Sequence, residues 1–370
     1  MLQSREKGIQ GMGETEDRAR RKHEHIAAVK SLPDVGGTGF ADVRLLPRSA
    51  PEIDVDQVSL GTELLGRHLA SPIIINAMTG GTEESGRINA TLAAFAKRHG
   101  LAMAVGSETA ALQSADASAS YTVVREINPD GVVIANLGMG VDIERSLRAV
   151  ELVGADFLQI HWNAAQEMFM AEGDRRFRGF LERLSGLQKA TPVPIIAKEV
   201  GQGMTGPSAR QFIDAGANAV DIGGLGGTNF IAVEAWRRHQ PLEEEWLRWG
   251  VPTAASLGEV AAELQGKSPI VASGGIRTGH DVVKALVMGA TAVGIAGPLL
   301  RLAAEPDGDQ RLDQWLAEIH ETMRMLHVLM GAATISEVGD QPAIVGGSTG
   351  DWLELRGYGE YRRKLARRGR

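Results

Sequence analysis

Pro269–Gly275 reads PIVASGG and Ala292–Gly297 reads AVGIAG. Each is a short apolar run that stops in glycine. They are the last of eight such runs, preceded by Pro72–Met78 (PIIINAM), Leu101–Ser107 (LAMAVGS), Val132–Gly138 (VVIANLG), Phe157–Asn163 (FLQIHWN), Pro194–Val200 (PIIAKEV) and Ala219–Gly224 (AVDIGG). Strands of a parallel sheet covered by helices read as continuous apolar runs rather than alternations. Helical spacing fills most of the gaps: Ile88, Leu92 and Phe95 within Glu84–His99, and Val282, Val283, Leu286 and Val287 within Thr278–Met288. A longer amphipathic segment, Leu312–Met330, is expected to pack outside. Eight β/α units predict an α/β fold, a closed (β/α)8 TIM barrel, which carries its chemistry at the C-terminal strand ends. A doubly wound open sheet is the alternative, and the absence of GxGxxG after the first strand weakens it.

The 370 residues divide into an N-terminal arm over 1–55, the barrel over 56–335 and a C-terminal extension with a basic tail over 336–370. Residues 1–20 are Gly- and charge-rich and are expected to be disordered. A short helix is expected over 21–29 and a loop over 31–50. No run approaches the roughly 18 apolar residues of a membrane span, and the first residues lack the apolar core of a signal peptide. A cytoplasmic protein without a membrane partner is therefore expected. With no cysteine, disulfides, thiolate metal sites and cysteine nucleophiles are excluded. The net charge of −7 argues against broad nucleic-acid binding. Basic residues cluster at 18–22 and again at 362–370, and both clusters read most simply as solvated tails.

The strand ends carry the candidate site. Ser273-Gly274-Gly275-Ile276-Arg277 and Gly294-Ile295-Ala296-Gly297-Pro298 close the last two runs, and Gly223–Thr228 adds a third glycine-rich turn. A pair of glycines by itself only makes a tight turn. Three such turns in neighbouring units, where barrels commonly hold a phosphate, predict a phosphate site of a sugar phosphate or of FMN. Lys198, inside an otherwise apolar run, favours FMN, because a cation at the barrel mouth stabilises negative charge on a reduced flavin. A structural ion pair with a neighbouring strand end is the plainer role for it. Met78, Thr79, Ser107 and Asn136 close the first three runs and are candidates for the ring edge, or simply for turns and caps.

The densest set of functional groups is His161-Trp162-Asn163-Ala164-Ala165-Gln166-Glu167. Strand alternation puts His161 and Asn163 on one face. His and Asn can donate to phosphate oxygens, and Glu167 can hold Mg²⁺ with substrate phosphate and water completing the shell. In the arm, Arg21, Lys22 and His25 lie close enough on one helical turn to grip a diphosphate.

At these residues the chain resembles the type 2 isopentenyl-diphosphate delta-isomerases, which use FMN. The resemblance runs in order through RKHEHI (21–26), NAMTGG (76–81), AVGS (104–107), ANLG (135–138) and QIHWNAAQE (159–167). It continues through EGDRRFRG (172–179), KEVGQGM (198–204), DIGGLGGTNF (221–230), ASGGIRTG (272–279) and GIAGPLL (294–300). It implies interconversion of isopentenyl and dimethylallyl diphosphate by a 1,3-proton shift with reduced FMN, Mg²⁺ and NADPH as reductant, in a homo-oligomer, a tetramer or octamer. It further implies that Arg21, Lys22, His25, Ser107, His161 and Asn163 bind the diphosphate, that Gln166 stands beside the reacting carbons and that Glu167 binds Mg²⁺. FMN would be held by Ala77, Met78, Thr79, Ser107, Asn136, Lys198, Thr228, Gly275, Arg277, Ala296 and Gly297. Gln166 and Lys198 would be catalytic, Lys198 through charge near N1 of the flavin. Many members carry Arg where this chain has Thr109, which leaves one diphosphate contact missing or supplied elsewhere; Trp162 and Ala164-Ala165 also depart from the common pattern.

Three other functions compete. An FMN-dependent 2-hydroxy-acid oxidase shares the late glycine turns and the lysine, but no His precedes SGGIRTGH on the seventh run. A barrel that keeps FMN without turnover is a non-catalytic alternative. A related flavoprotein acting on a modified prenyl diphosphate is the third.

Overall fold

A computed structural model describes residues 36–369 together with Glu24, Ala27, Ala28, Ser31 and Leu32. All eight runs form strands: β1 (Ile73–Ile75), β2 (Ala102–Ala104), β3 (Val133–Gly138), β4 (Phe157–Trp162), β5 (Ile195–Glu199), β6 (Ala219–Asp221), β7 (Ile270–Ser273) and β8 (Ala292–Ile295). Each pairs in parallel with its successor, and β8 closes on β1 in the register Val293↔Ile73, Gly294↔Ile74, Ile295↔Ile75. The sheet is thus a closed barrel and not the open doubly wound alternative.

Side chains alternate across each strand, and this sorts the barrel into layers. Outward positions such as Ile73, Ile75, Val133, Leu158, Ile160, Ile195 and Val293 belong to the large core under the helices. Inward positions near the strand starts form a second apolar cluster with members from all eight strands, among them Ile74, Ala102, Ile134, Phe157, Ile196, Ala219, Val271 and Ala292. Two residues further along, the same inward face turns polar: Asn76, Asn136, Gln159, Lys198, Asp221 and Ser273, all buried. A short antiparallel hairpin, Thr62–Leu64 with Arg67–Leu69, contributes Leu64 and Leu69 to the inner apolar cluster and plugs the N-terminal end.

The helices fall where the spacing put them. Gly308–Met330 buries Leu312, Leu316, Ile319, Met323, His327 and Met330 at intervals of three and four, and packs on the helices Gly279–Val287 and Gly297–Ala303. The described residues of the expected 21–29 helix, Glu24, Ala27 and Ala28, are helical; its other residues, and the expected disorder over 1–20, lie outside the described residues.

The late basic cluster is not a solvated tail. Gly359–Arg367 is a helix whose Tyr361 hydroxyl donates to Met288 O at 2.6 Å. Arg368 donates to Val287 O and Gly339 O, each at 2.6 Å. Upstream of it, Ala343–Val345 pairs antiparallel with Val43–Leu45, which joins the two segments flanking the barrel. Apolar packing of Leu365 and backbone acceptors for the cations explain why the charge run did not read correctly. No helix of the described residues is long and apolar enough to cross a membrane.

Candidate active site

Two contiguous cavities open at the C-terminal ends of the strands. The first is lined by Ala77, Met78, Thr79, Lys198, Thr228, Gly275, Arg277, Ala296 and Gly297, among others. The second is lined by Ser107, Thr109, Asn136, Arg145, His161, Gln166 and Glu167, among others. Ala77, Met78, Lys198, Val200 and Phe230 border both.

The glycines of the first cavity are there because backbones touch. Gly275 has φ +71°, and a Cβ on it would collide with Gly226 O. Gly274, at φ +109°, would collide with Gly224 O in the same way. The turns after β6 and β7 therefore lie backbone to backbone, and no side chain fills the wall they make. Arg277 braces them, donating to Gly275 O at 2.5 Å and Gly226 O at 3.2 Å. Thr79 is buried, its hydroxyl 2.8 Å from that of Ser85.

Lys198, 7% exposed, rises from β5 to the boundary between the cavities. Its Nζ meets Asp221 Oδ2 at 2.5 Å, so the structural ion pair is present and the cation still faces both spaces. Asp221 also accepts from Asn76 Nδ2 at 2.7 Å, Gln159 Nε2 at 3.3 Å and the Ser273 hydroxyl. The next residue, Glu199, is pushed up to about 8 by burial, against the backbone N–H groups of Gln202 and Gly203 that donate to its Oε2 at 2.9 and 3.0 Å.

In the second cavity, His161 Nδ1 lies 3.1 Å from Asn136 Oδ1. Ser107 and Thr109 hydroxyls are 3.1 Å apart. Beneath them Glu108 is fully buried; its Oε1 accepts from Asn136 N at 2.9 Å, and Oε2 has no partner among the described residues. Burial pushes this carboxyl up to about 8, so it is protonated at neutral pH. Asn163 lines neither cavity. It caps the helix Ala164–Phe169, accepting from Gln166 N at 2.8 Å and donating to Val200 O at 2.7 Å. It therefore positions Gln166. Glu167 Oε2 accepts from Asp174 N at 2.7 Å. No cluster of three or more metal-ligating side chains occurs among the described residues.

Besides Asp221 and Glu108, two more residues of the site were not singled out from the sequence. Glu234, wholly buried in the helix Phe230–Arg237, accepts from Gln166 Nε2 at 2.8 Å and pairs with Arg237. Arg237 in turn reaches Glu24 of the arm at 2.9 Å. A lone carboxylate in the apolar stretch FIAVEAW was the available signal. Arg145 is the other. Arg21, Lys22 and His25 lie outside the described residues.

A closed parallel barrel with a glycine-walled cavity opening into a polar one defines a (β/α)8 protein built for a phosphate-bearing cofactor, and residues 143–344 match the FMN-dependent dehydrogenase family. The chain belongs to the isopentenyl-diphosphate delta-isomerase family. It is 42% identical to the isopentenyl-diphosphate delta-isomerase of Symbiobacterium thermophilum, over 92% of this chain and 96% of that one. It is 41% identical to that of Bacillus pumilus, over 92% and 95%. Among solved structures, a lactate oxidase of Pediococcus acidilactici superposes with a TM-score of 0.65 at 18% identity, covering 90% of this chain and 94% of that one. A mandelate oxidase mutant with (S)-mandelic acid gives 0.63 at 20%, covering 90% and 98%. At such identity these two share the fold.

Proposed function

We propose that the protein interconverts isopentenyl and dimethylallyl diphosphate by a 1,3-proton shift, with reduced FMN in the first cavity and the substrate in the second. The observation that carries this reading is the shared wall: a group seated in the glycine cradle borders one seated among Ser107, His161, Gln166 and Glu167. The residues fit both groups. Gly274, Gly275, Ala296 and Gly297 line the first cavity after β7 and β8, the part of a barrel where loop N–H groups hold a phosphate. Glu167 is a carboxylate of the kind that holds Mg²⁺ when phosphate and water supply the other ligands.

Reduced FMN, when bound, supplies the acid–base group that an unactivated alkene needs. The chain's residues do the rest. Lys198 holds a positive charge at the boundary, fixed by Asp221. Asn163 and Glu234 hold Gln166 from its backbone and its side chain, which sets the direction of its amide at the reacting carbons. Met78, Val200 and Phe230 give the junction an apolar wall that excludes water from a reactive cation. In this reading Ser107 and His161 would donate to the diphosphate, as would Arg21, Lys22 and His25 of the arm, which lie outside the described residues. NADPH as reductant, a cytoplasmic location and a tetramer or octamer belong to the same reading.

The test is anaerobic incubation with FMN, dithionite, Mg²⁺ and isopentenyl diphosphate, followed by NMR. Dimethylallyl diphosphate that requires both reduced flavin and Mg²⁺ is the expected product. Its absence with flavin bound would move the activity to another prenyl diphosphate or remove it.

A further inference from the structure

We infer that Arg145 is a diphosphate-binding residue of the second cavity, supplying from the start of a helix the charge that position 109 lacks. This rests on the proposed isomerase reading for its substrate, though not for its anion. A diphosphate carries several negative charges, and hydroxyls alone match them poorly. Among the described lining residues, Lys198 and Arg145 are the cations. Lys198 is 7% exposed and committed to Asp221. The neighbours on the loop after β2, Ser107 and Thr109, are uncharged, and their hydroxyls face each other at 3.1 Å.

Arg145 differs from Lys198 in each respect. It sits in the first turn of the helix Ile143–Leu152, directly after the β3 loop whose Gly138, Gly140 and Val141 line the same cavity. Its side chain is 53% exposed, and its guanidinium makes no hydrogen bond among the described residues. Its one ion pair among the described residues is with Asp142, whose Oδ2 lies 3.6 Å from Nε. The other oxygen, Oδ1, is occupied in capping the helix through Arg145 N at 2.8 Å. Asp142 thus lies beside Nε without a hydrogen bond to it, and both Nη groups are left to donate. A planar fork of this kind matches two phosphate oxygens at once. The loop glycines leave the approach open: a Cβ at Gly140 would meet nothing within 4 Å.

The experiment uses full-length protein loaded with FMN. Inorganic pyrophosphate is titrated calorimetrically into the wild type, Arg145→Ala, Arg145→Lys and Asp142→Asn, and KM and kcat for isopentenyl diphosphate are measured under reducing conditions. For Arg145→Ala the expected results are pyrophosphate affinity weaker by about tenfold or more, KM raised in parallel, and a smaller change in kcat. Arg145→Lys should recover part of the loss, which a packing role would not produce. Asp142→Asn, which removes the competing carboxylate, should bind pyrophosphate at least as tightly as the wild type. Arg145→Ala with affinity and KM within twofold of wild type overturns the inference while the isomerase reading stands. A wild type that binds pyrophosphate through Arg145 but yields no dimethylallyl diphosphate overturns the isomerase reading and keeps the anion site. A wild type that binds no pyrophosphate overturns the inference.

Discussion

Lys198 Nζ and Asp221 Oδ2 meet at 2.5 Å across adjacent strands, at the level where the inside of the barrel changes from apolar to polar. The two charges lie within a layer that also holds Asn76, Gln159 and Ser273, so the ammonium is held in one place. A cation that is both buried and fixed acts on a neighbouring charge without reorganisation.

Removing Asp221 should therefore damage both folding and the site. Asp221→Leu leaves Lys198 buried without its counter-ion, and a loss of about 3–5 kcal/mol is expected. Urea unfolding of Asp221→Leu, Lys198→Met and the double variant measures it. The double variant should be more stable than Asp221→Leu alone, and a purely additive cycle would contradict the coupling.

Glu234 fixes the Gln166 side-chain amide. Glu234→Leu should lower kcat at least tenfold, about 1.4 kcal/mol in the barrier, with flavin affinity unchanged by fluorescence titration. Equal losses in flavin binding and turnover would instead indicate a collapsed site.

Gly275→Ala adds a Cβ at φ +71° against Gly226 O. Strain of this kind costs on the order of 1–2 kcal/mol before the collision is counted. A lower melting temperature and weaker flavin binding are expected together. Normal flavin affinity in a stable variant would show that the cradle tolerates a side chain.

Glu108 makes stability depend on pH. Its folded carboxyl is pushed up to about 8 from an ordinary 4.5, so between those values the folded state holds a proton that the unfolded chain has lost. This contribution is complete below pH 4.5 and is lost as pH rises through about 8. Glu108→Gln should flatten the decline, gaining roughly 2 kcal/mol on the wild type between mildly acidic and alkaline conditions. Parallel stability–pH curves for the two proteins would refute it.

Glu167→Gln should raise the Mg²⁺ concentration for half-maximal turnover about tenfold, in line with loss of a carboxylate ligand. An unchanged Mg²⁺ dependence would remove Glu167 from the metal's shell.

The barrel was legible because its signal is repeated eight times: each of the eight runs became a strand, and the glycine turns after β6, β7 and β8 line one cavity. Thr79 and Arg277, expected at the flavin, line one cavity, and His161 and Gln166, expected at the substrate, line the other, but Asn136 and Ser107, also expected at the flavin ring, line the second cavity and not the first. What could not be read depends on pairing across distance. Asp221 looked like one polar residue in AVDIGG until β5 and β6 placed it against Lys198. That Asn163 caps the helix Ala164–Phe169 could not be read from its residue type, which suits a ligand equally well. The strand Ala343–Val345 is three residues long, too short to stand out, and it pulls the C-terminal cluster into a fold where the charge pattern pointed to solvent.

The hairpin inserts Leu64 and Leu69 into the apolar foot of the barrel, and both cavities of the site open at the other end. Substrate and product of the proposed reaction would therefore pass through the same mouth, at the C-terminal strand ends. The strand-start end is also where the C-terminal helix is anchored, through Tyr361 and Arg368 to residues just ahead of β8. A tether or fusion at that end leaves the mouth clear, which makes the C-terminus the natural handle for immobilising this catalyst.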